Sequence, residues 1–423
     1  MIITILSDSP FLPTGYSNQA KQLATYLTDR GHTVHYLANA YSGTEIKNAE
    51  LLDGTKFNYT IHGHWPNNPY FNQTMGVHLR ETKSEVFFIL LDTFMLYPWF
   101  LNVDTAPAKT FFWFPSDGGA GMPKGCEAIL KKIDEPVAMA LFGQKQVKDY
   151  YGLDVKHIPH GTDSDRFYKL PDEERDKLRE KWGFKDKFVV GVVARNQPRK
   201  NLDRTIKSFY LLKDRIPNAI LFLHLDPNDP AQQAFKIHDL VTRYNLENRV
   251  VYSGMSAHNG FDWNRMNEVY NIMDVFLLTT SGEGFGIPII EAMSCQVPVL
   301  ATSYTTTPEL VENNNAGLGI KLAGTEDLDL FSLSSQDYDN LVLNGTLTGS
   351  WQVERAMCSC TDCADKLVKL YKDPELRKEM GKNGRKAVLE KYDFNKHIGP
   401  KFEELMNNQQ PEVNIPVRVG EKQ

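Results

Sequence analysis

An α/β protein built from two doubly wound parallel-sheet domains is what this sequence predicts, on three observations. Its 423 residues suffice for two domains of ordinary size, each with its own core. Short apolar runs alternate with helical periodicity, the pattern of parallel βαβ units covered on both faces. The alternation then pauses and restarts. After His157 to Asp163 and a charged helix, a strongly apolar run at Phe188 opens a second series.

The elements follow in order. Ile2 to Leu6 is a first strand, Ser17 to Arg30 has helical periodicity, and Gly31 stops it. Thr33 to Ala38, Glu85 to Leu91, Lys109 to Phe114 and Val137 to Phe142 are further strands of the first series. Past the seam, Asp172 to Trp182 is a charged helix, and Phe188 to Ala194 a core strand. Asp203 to Leu212 is a helix, Ala219 to Leu225 a strand, Gln232 to Tyr244 a helix and Val250 to Tyr252 a strand. Val275 to Leu278 is buried strand, and Pro288 opens the helix after it at its first turn. Leu328 to Trp351 is polar and rich in Ser, Asn and Gly, which suits an elaborated surface segment. Lys366 to Tyr371 and Pro374 to Tyr392 read as helices, and Asp393 starts a last one that runs to about Met406. Residues 408–423 lack periodicity and read as a loose tail.

With 41% hydrophobic and 24% charged residues, the composition is that of a soluble globular protein. No run of about 18 apolar residues predicts a membrane span. The start, Met1 to Leu6, lacks the basic region and cleavage site of a signal peptide. The expectation is a cytoplasmic protein, with peripheral contact at the inner membrane face left open. A net charge of −6 speaks against a large nucleic-acid footprint, and the first half is not basic enough to favour an anionic bilayer. Five cysteines, an odd number, point to free thiols. Cys358, Cys360 and Cys363 have no matching second pair for a structural zinc, so they read as small thiols at a helix entry. His62 and His64 read as no metal pair either, since no third ligand is evident in the sequence.

Residues 279–309 carry the most chemistry. A strand runs into a turn with Gly282, Gly284 and Gly286, where backbone can approach a ligand and helix-start amides favour an anion such as phosphate. Glu283 lies in the turn and Glu291 eight residues on. A phosphate site has no use for carboxylates, so these are assigned to hydroxyls, as of a sugar and a ribose flanking a diphosphate. In the second series, strand Phe188 to Ala194 ends at Arg195, and Lys200 follows five residues later. Fixed cations there would lower the barrier to departure of a nucleoside diphosphate. Arg199, between them, reads equally as a solubility residue.

The turn closely resembles the E-x7-E motif of glycosyltransferase family 4, retaining enzymes of GT-B fold. The match takes in Glu283, Gly284-Phe285-Gly286, Pro288, Glu291-Ala292-Met293, Pro298-Val299 and Glu309, and Arg195 and Lys200 resemble the family's Arg-x4-Lys signature. The resemblance implies two Rossmann-like domains facing across a cleft. The N-terminal one would span 1–165, completed by a C-terminal helix at about 393–407, and the donor domain 166–392. The turn amides would hold donor phosphates, Glu283 would meet the transferred sugar and Glu291 the ribose. Arg195 and Lys200 would clamp the diphosphate. Met255, after strand Val250 to Tyr252, would sit near the base, and Gly15 resembles the first-domain loop glycine, with Ser17 as N-cap in the plainer view. Gly15, Arg195, Lys200, Met255, Glu283 to Ile287 and Glu291 thus form the expected donor site. His160 to Asp163 resembles the family's junction segment and reads as structural. Many members carry a His at a first-domain strand end. Here Asp92 and Asp117 occupy such ends, and with Glu283, Arg195 and Lys200 they form the expected catalytic set.

The implied activity is retaining transfer of a sugar from a nucleotide diphosphate, a UDP-sugar by expectation, to an acceptor hydroxyl, with no metal and no other cofactor. A glycan, lipid or small molecule is the expected acceptor, and the oligomeric state is left open. Three rivals share the clamp: a transferase acting on hydroxylated DNA bases, a nucleotide-sugar epimerase, and a non-catalytic nucleotide-sugar binder.

Overall fold

In the computed structural model the two strand series close into two sheets. The structure describes all residues except 51–55, 65–70, 98, 120, 123, 230–233, 257–259, 330–351 and 409–423. The first sheet holds eight strands: β1 (Ile2–Asp8), β2 (Thr33–Asn39), β3 (Ile46–Glu50), β4 (Lys56–Gly63), β5 (Val86–Leu90), β6 (Lys109–Phe114), β7 (Glu135–Ala138) and β8 (Lys156–His157). Their spatial order is β3-β4-β2-β1-β5-β6-β7-β8, parallel except for β3 against β4. The second holds β9 (Phe188–Val193), β10 (Ala219–His224), β11 (Val250–Tyr252), β12 (Val275–Leu278), β13 (Val299–Thr302) and β14 (Gly317–Ile320), in the order β11-β10-β9-β12-β13-β14, all parallel. Every residue of β9, β10, β12 and β13 is buried, as a parallel sheet covered on both faces requires.

Four sequence expectations change. The strand predicted over Val137 to Phe142 ends at Ala138, and helix Leu141–Tyr151 begins within it, because Leu141 lies exposed on the surface instead of in the sheet. The antiparallel edge β3–β4 is absent from the expectations. β3 is half-exposed and polar, so it carries no apolar run. A two-stranded antiparallel ribbon, β15 (Leu322–Asp329) with β16 (Gln352–Cys358), brackets the stretch read as a surface segment, of which 330–351 lies outside the described residues. Helix Ile237–Arg243 covers part of the predicted Gln232 to Tyr244. The five thiols are free and buried, with Cys360 and Cys363 at the start of helix Cys360–Lys372, which Ser359 caps.

The last described helix, Gly399–Asn407, returns to the first sheet. A Cβ on Gly399 would lie 2.6 Å from the Tyr26 ring, so glycine permits the helices to touch. Phe402 stacks edge-on against Trp113 and Phe88 at 4.7 and 5.1 Å. Such pairs contribute about 0.5–1.5 kcal/mol each beyond area burial. Glu403 meets Arg30 at 3.2 Å and His32 at 3.3 Å. Gln19 braces the seam by donating to and accepting from the Gly161 backbone, at 2.7 and 3.0 Å.

Candidate active site

Parallel strands all point their carboxyl ends one way, so the loops after β9 and β12 lie side by side. After β9, residues 198–200 wind one tight turn that ends at Asn201, whose φ of 47° is left-handed. The turn lays Arg199 and Lys200 over the loop after β12. Lys200 Nζ donates to Glu283 Oε1 at 2.6 Å, and Arg199 Nη1 to Glu283 Oε2 at 2.7 Å. Glu283 is 4% exposed and Lys200 6%. Burial opposes ionisation of Glu283, but the two cations outweigh it and hold the carboxyl at about 2. Burial, with Arg199 alongside, draws Lys200 down to about 8, so the trio is charged at neutral pH.

Arg195 joins a different partner. Its Nε and Nη2 donate to Asp229 Oδ2 at 3.0 and 2.7 Å. Its charge also reaches Asp8 at the end of β1, whose carboxyl is raised by burial against the pull of Thr14, Asn39 and Arg195. Arg195 and Lys200, expected together at a diphosphate, thus have different carboxylate partners here, and Arg199 joins Lys200 on Glu283. The adjacency of Arg199 to Lys200 was the available signal. A basic loop residue looks the same whether it faces solvent or a buried Glu.

Gly286, at φ 99°, starts helix Ile287–Ser294. On that helix Glu291 is buried and accepts one hydrogen bond from Tyr270 Oη at 2.5 Å. Burial pushes its carboxyl up to about 7, with Tyr270 partly offsetting. Gly282 and Gly284 first admit protein. A Cβ on Gly282 would sit 1.9 Å from the Asp117 carbonyl oxygen, and one on Gly284 would sit 2.7 Å from Pro115 Cβ. The Phe285 ring packs edge-on at the seam, 5.4 Å from His160 and 6.1 Å from Tyr392, so its side chain is core. The Glu283 amide is taken by Thr305 Oγ1 at 3.0 Å. Met255, half-buried, donates its amide to Ser253 Oγ at 3.3 Å beside Gly254, whose φ is 74°.

The first sheet faces this loop with two carboxylates. Tyr16 Oη donates to Asp92 Oδ1 at 2.6 Å. Burial raises Asp92 to about 6; Tyr16 opposes that shift, Asp117 adds to it and Arg199 opposes it. Those fields bring Asp92, Asp117 and Arg199 into one electrostatic neighbourhood across the cleft. Arg355 of β16 holds Asp117, with Nη2 donating to Oδ1 at 3.1 Å and Nη1 to the Asp117 carbonyl. Gly119 pairs with the Glu354 backbone at 2.9 Å, and a Cβ on Gly118 would meet Val353 at 2.8 Å, so the two glycines after Asp117 make room for the ribbon. Gly15 opens helix Gly15–Thr28, and a Cβ there would come 3.1 Å from Ile287 Cδ1 across the cleft. The N-cap is Thr14, whose Oγ1 accepts from the Ser17 amide at 3.1 Å, in place of the expected Ser17. Glu309 spans the halves too. Its Oε2 accepts from the Phe142 amide at 3.3 Å, and burial pushes it up to about 7 against the amides of Phe142 and Leu141.

The sequence missed Tyr16, Asp8, Tyr270 and Arg355. Each acts through a partner distant in the chain, and Arg355 follows a stretch with no periodic pattern. It also missed a grouping. His62, dismissed for want of a third ligand, lies against His35 and His78, while His64 stacks its ring edge-on to Phe71 at 6.3 Å. Strand pairing and a returning helix, invisible to spacing, bring those three together.

Two Rossmann-like sheets meeting at the carboxyl ends of their strands, with cations and carboxylates lining the junction, define the GT-B class. Among solved structures, sucrose-phosphate synthase from Thermosynechococcus elongatus superposes with a TM-score of 0.71 over 96% of this chain and 98% of its own, at 17% identity. Anabaena HepE in complex with UDP-glucose gives 0.70 over 96% and 100%, also at 17%. Residues 174–328, which hold Arg195, Lys200, Glu283, Glu291 and Glu309, match the family model of glycosyl transferases group 1. Over that stretch the chain resembles group 1 glycosyltransferases. Mannosylfructose-phosphate synthase of Agrobacterium fabrum is 27% identical over 227 residues, 52% of this chain and 48% of that protein. A GDP-mannose-dependent phosphatidylinositol monomannoside mannosyltransferase of Mycolicibacterium smegmatis is 29% identical over 170 residues, 38% of this chain and 42% of its own. The chain thus spans about half the length, or less, of these curated relatives. No helix among the described residues is long and apolar enough to cross a membrane.

Proposed function

We propose that the protein transfers a sugar, with retention of configuration, from a nucleotide diphosphate donor to an acceptor hydroxyl. The observation that carries this is the trio of buried Lys200 and Glu283 with half-buried Arg199, set against Asp92 and Asp117 of the facing sheet. When a diphosphate enters, the two cations exchange one carboxylate for phosphoryl oxygens, and Glu283 is released to accept from sugar hydroxyls. Negative charge grows on the leaving phosphate, and Lys200 is already desolvated to meet it. Arg195 closes the far side of the clamp from its seat on Asp229. Glu291, holding one donor, has acceptor capacity left for ribose hydroxyls. In a front-face mechanism the leaving phosphate takes the acceptor proton, and Asp92 and Asp117 stabilise a cationic sugar. UDP in complexes of neighbours such as Anabaena HepE makes UDP-sugars the first donors to test, with GDP-mannose, from the Mycolicibacterium relative's name, second. The proposed acceptor is a glycan, a lipid or a small hydroxylated molecule.

Release of free nucleotide from a panel of donors and acceptors, with the product anomer read by NMR, tests the reaction. Glu283→Gln is expected to lower transfer more than it weakens binding of the sugar-free nucleotide. Glu291→Ala is expected to weaken that binding itself, since ribose hydroxyls lose their carboxyl acceptor. Calorimetry showing the reverse pattern would exchange the two assignments. An inverted product anomer, or donor turnover to an isomeric sugar without acceptor, would refute the proposal.

A further inference from the structure

Three histidines from separate elements converge toward the β3 edge of the first sheet, whereas Asp92 and Asp117 follow β5 and β6. His35 lies on β2, His62 on β4 and His78 on helix Met75–Glu81. Each offers a ring nitrogen within 4.8 Å of the others. The His62 ring centroid is 5.2 Å from that of His35 and 4.7 Å from that of His78, and the three sit half-buried. His35 Nδ1 and His62 Nε2 are 3.0 Å apart. Two nitrogens bound tetrahedrally to zinc at 2.0–2.1 Å are about 3.3 Å apart, so this pair is nearly at ligand spacing. His78 Nε2 is buried with no hydrogen-bond partner among the described residues. Leaving such an atom unsatisfied is unfavourable, and a metal ion would satisfy it.

The surroundings point the same way. His62 Nδ1, the nitrogen turned away from His35, lies 3.2 Å from Glu45 Oε2. A ligating histidine typically gives its other N–H to a carboxylate, which fixes the tautomer and raises ligand basicity. Lys47 Nζ, 3.1 Å from Glu45 Oε1, balances that carboxylate from outside.

We propose that His35, His62 and His78 form a divalent transition-metal site of zinc type, with Glu45 orienting His62, and that the ion ties the β2–β4 edge to helix Met75–Glu81. Imidazole nitrogens in tetrahedral array favour zinc over the oxygen-seeking magnesium and calcium. Three protein ligands leave a fourth position for water. The proposal is independent of the glycosyl-transfer chemistry.

The test uses untagged full-length protein, stripped with chelator and titrated with Zn²⁺, and separately with Co²⁺. One ion bound per chain, a rise in melting temperature and the visible absorption of four-coordinate cobalt are expected. Glu45→Gln, at a position roughly half exposed, is expected to keep the fold and weaken zinc about 10–100-fold. His78→Gln, with folding checked by circular dichroism, is expected to weaken zinc at least as much and to abolish the cobalt spectrum. Unsaturable zinc uptake, or equal zinc affinity in wild type, Glu45→Gln and folded His78→Gln, would overturn the site and leave a hydrogen-bonded His35–His62 pair.

Discussion

On the second sheet's side of the cleft, Arg199, Lys200 and Glu283 stand on two neighbouring strand-to-helix loops of one sheet and pair with one another, leaving one net positive charge. On the first sheet's side, Asp92 is held by Tyr16 from another loop, and Asp117 by Arg355, which belongs to a ribbon reaching over from the second half. One wall therefore makes its ion pairs within its own sheet, and the other is assembled from both halves. A change on the first wall should act locally, on donor charge. A change on the second should alter how the halves meet.

The largest effect expected is from Arg199→Ala combined with Lys200→Ala. It strands the buried Glu283 carboxylate, at a cost of about 3–5 kcal/mol in urea unfolding. Either single variant leaves one cation in place and is expected to lose far less stability. A double variant as stable as its parents would mean that Arg195 can swing across, and the first wall would not be self-contained. Next comes Glu291→Gln. The native value of Glu291 lies above the unfolded one, so the folded chain binds more protons between about pH 4.5 and 7 and wild-type stability falls as pH rises through that window. Glutamine does not ionise. The variant should gain on wild type over the same range, approaching 2–3 kcal/mol at pH 8 as an order of magnitude, measured by melting at several pH values.

Arg355→Ala sharpens the contrast. It removes two hydrogen bonds to Asp117, and a loss of about 1–3 kcal/mol is expected, with turnover reduced while calorimetric affinity for the nucleotide holds. Equal losses in both would show that the ribbon also shapes the donor side. The smallest effect belongs to Tyr16→Phe. The hydroxyl opposes the burial that raises Asp92 to about 6, so its loss should move an acidic limb of the kcat/KM profile to higher pH. An unmoved limb would take Asp92 out of the reaction.

The same contrast explains what the sequence could reveal. β9, β10, β12 and β13 are buried on both faces, hence unbroken apolar runs that announce themselves. The polar edge strand β3 makes no such statement, and β15 meets β16 only after a long aperiodic stretch. The Glu283 and Glu291 segment is contiguous, so its geometry follows from strand, turn and helix. Asp92 and Asp117 stood out as strand-end carboxylates, but Tyr16 and Arg355 are fixed by packing between distant segments. Gly282 and Gly284 were seen as space for a ligand, and the space is occupied by Pro115 and Asp117 of the opposite wall.

The return of helix Gly399–Asn407 to the first sheet has a consequence for biosynthesis. Trp113 and Phe88 emerge from the ribosome well before Phe402, the side chain that packs against both. At about 5–20 residues per second, the interval from Trp113 to Phe402 is roughly 15–60 s. Throughout that time the first sheet carries an uncovered aromatic face, open to chaperones and to other nascent chains. Completion of the amino-terminal core thereby waits for Phe402 to be made, and a message cut short before Phe402 would yield a chain whose first core lacks that cover.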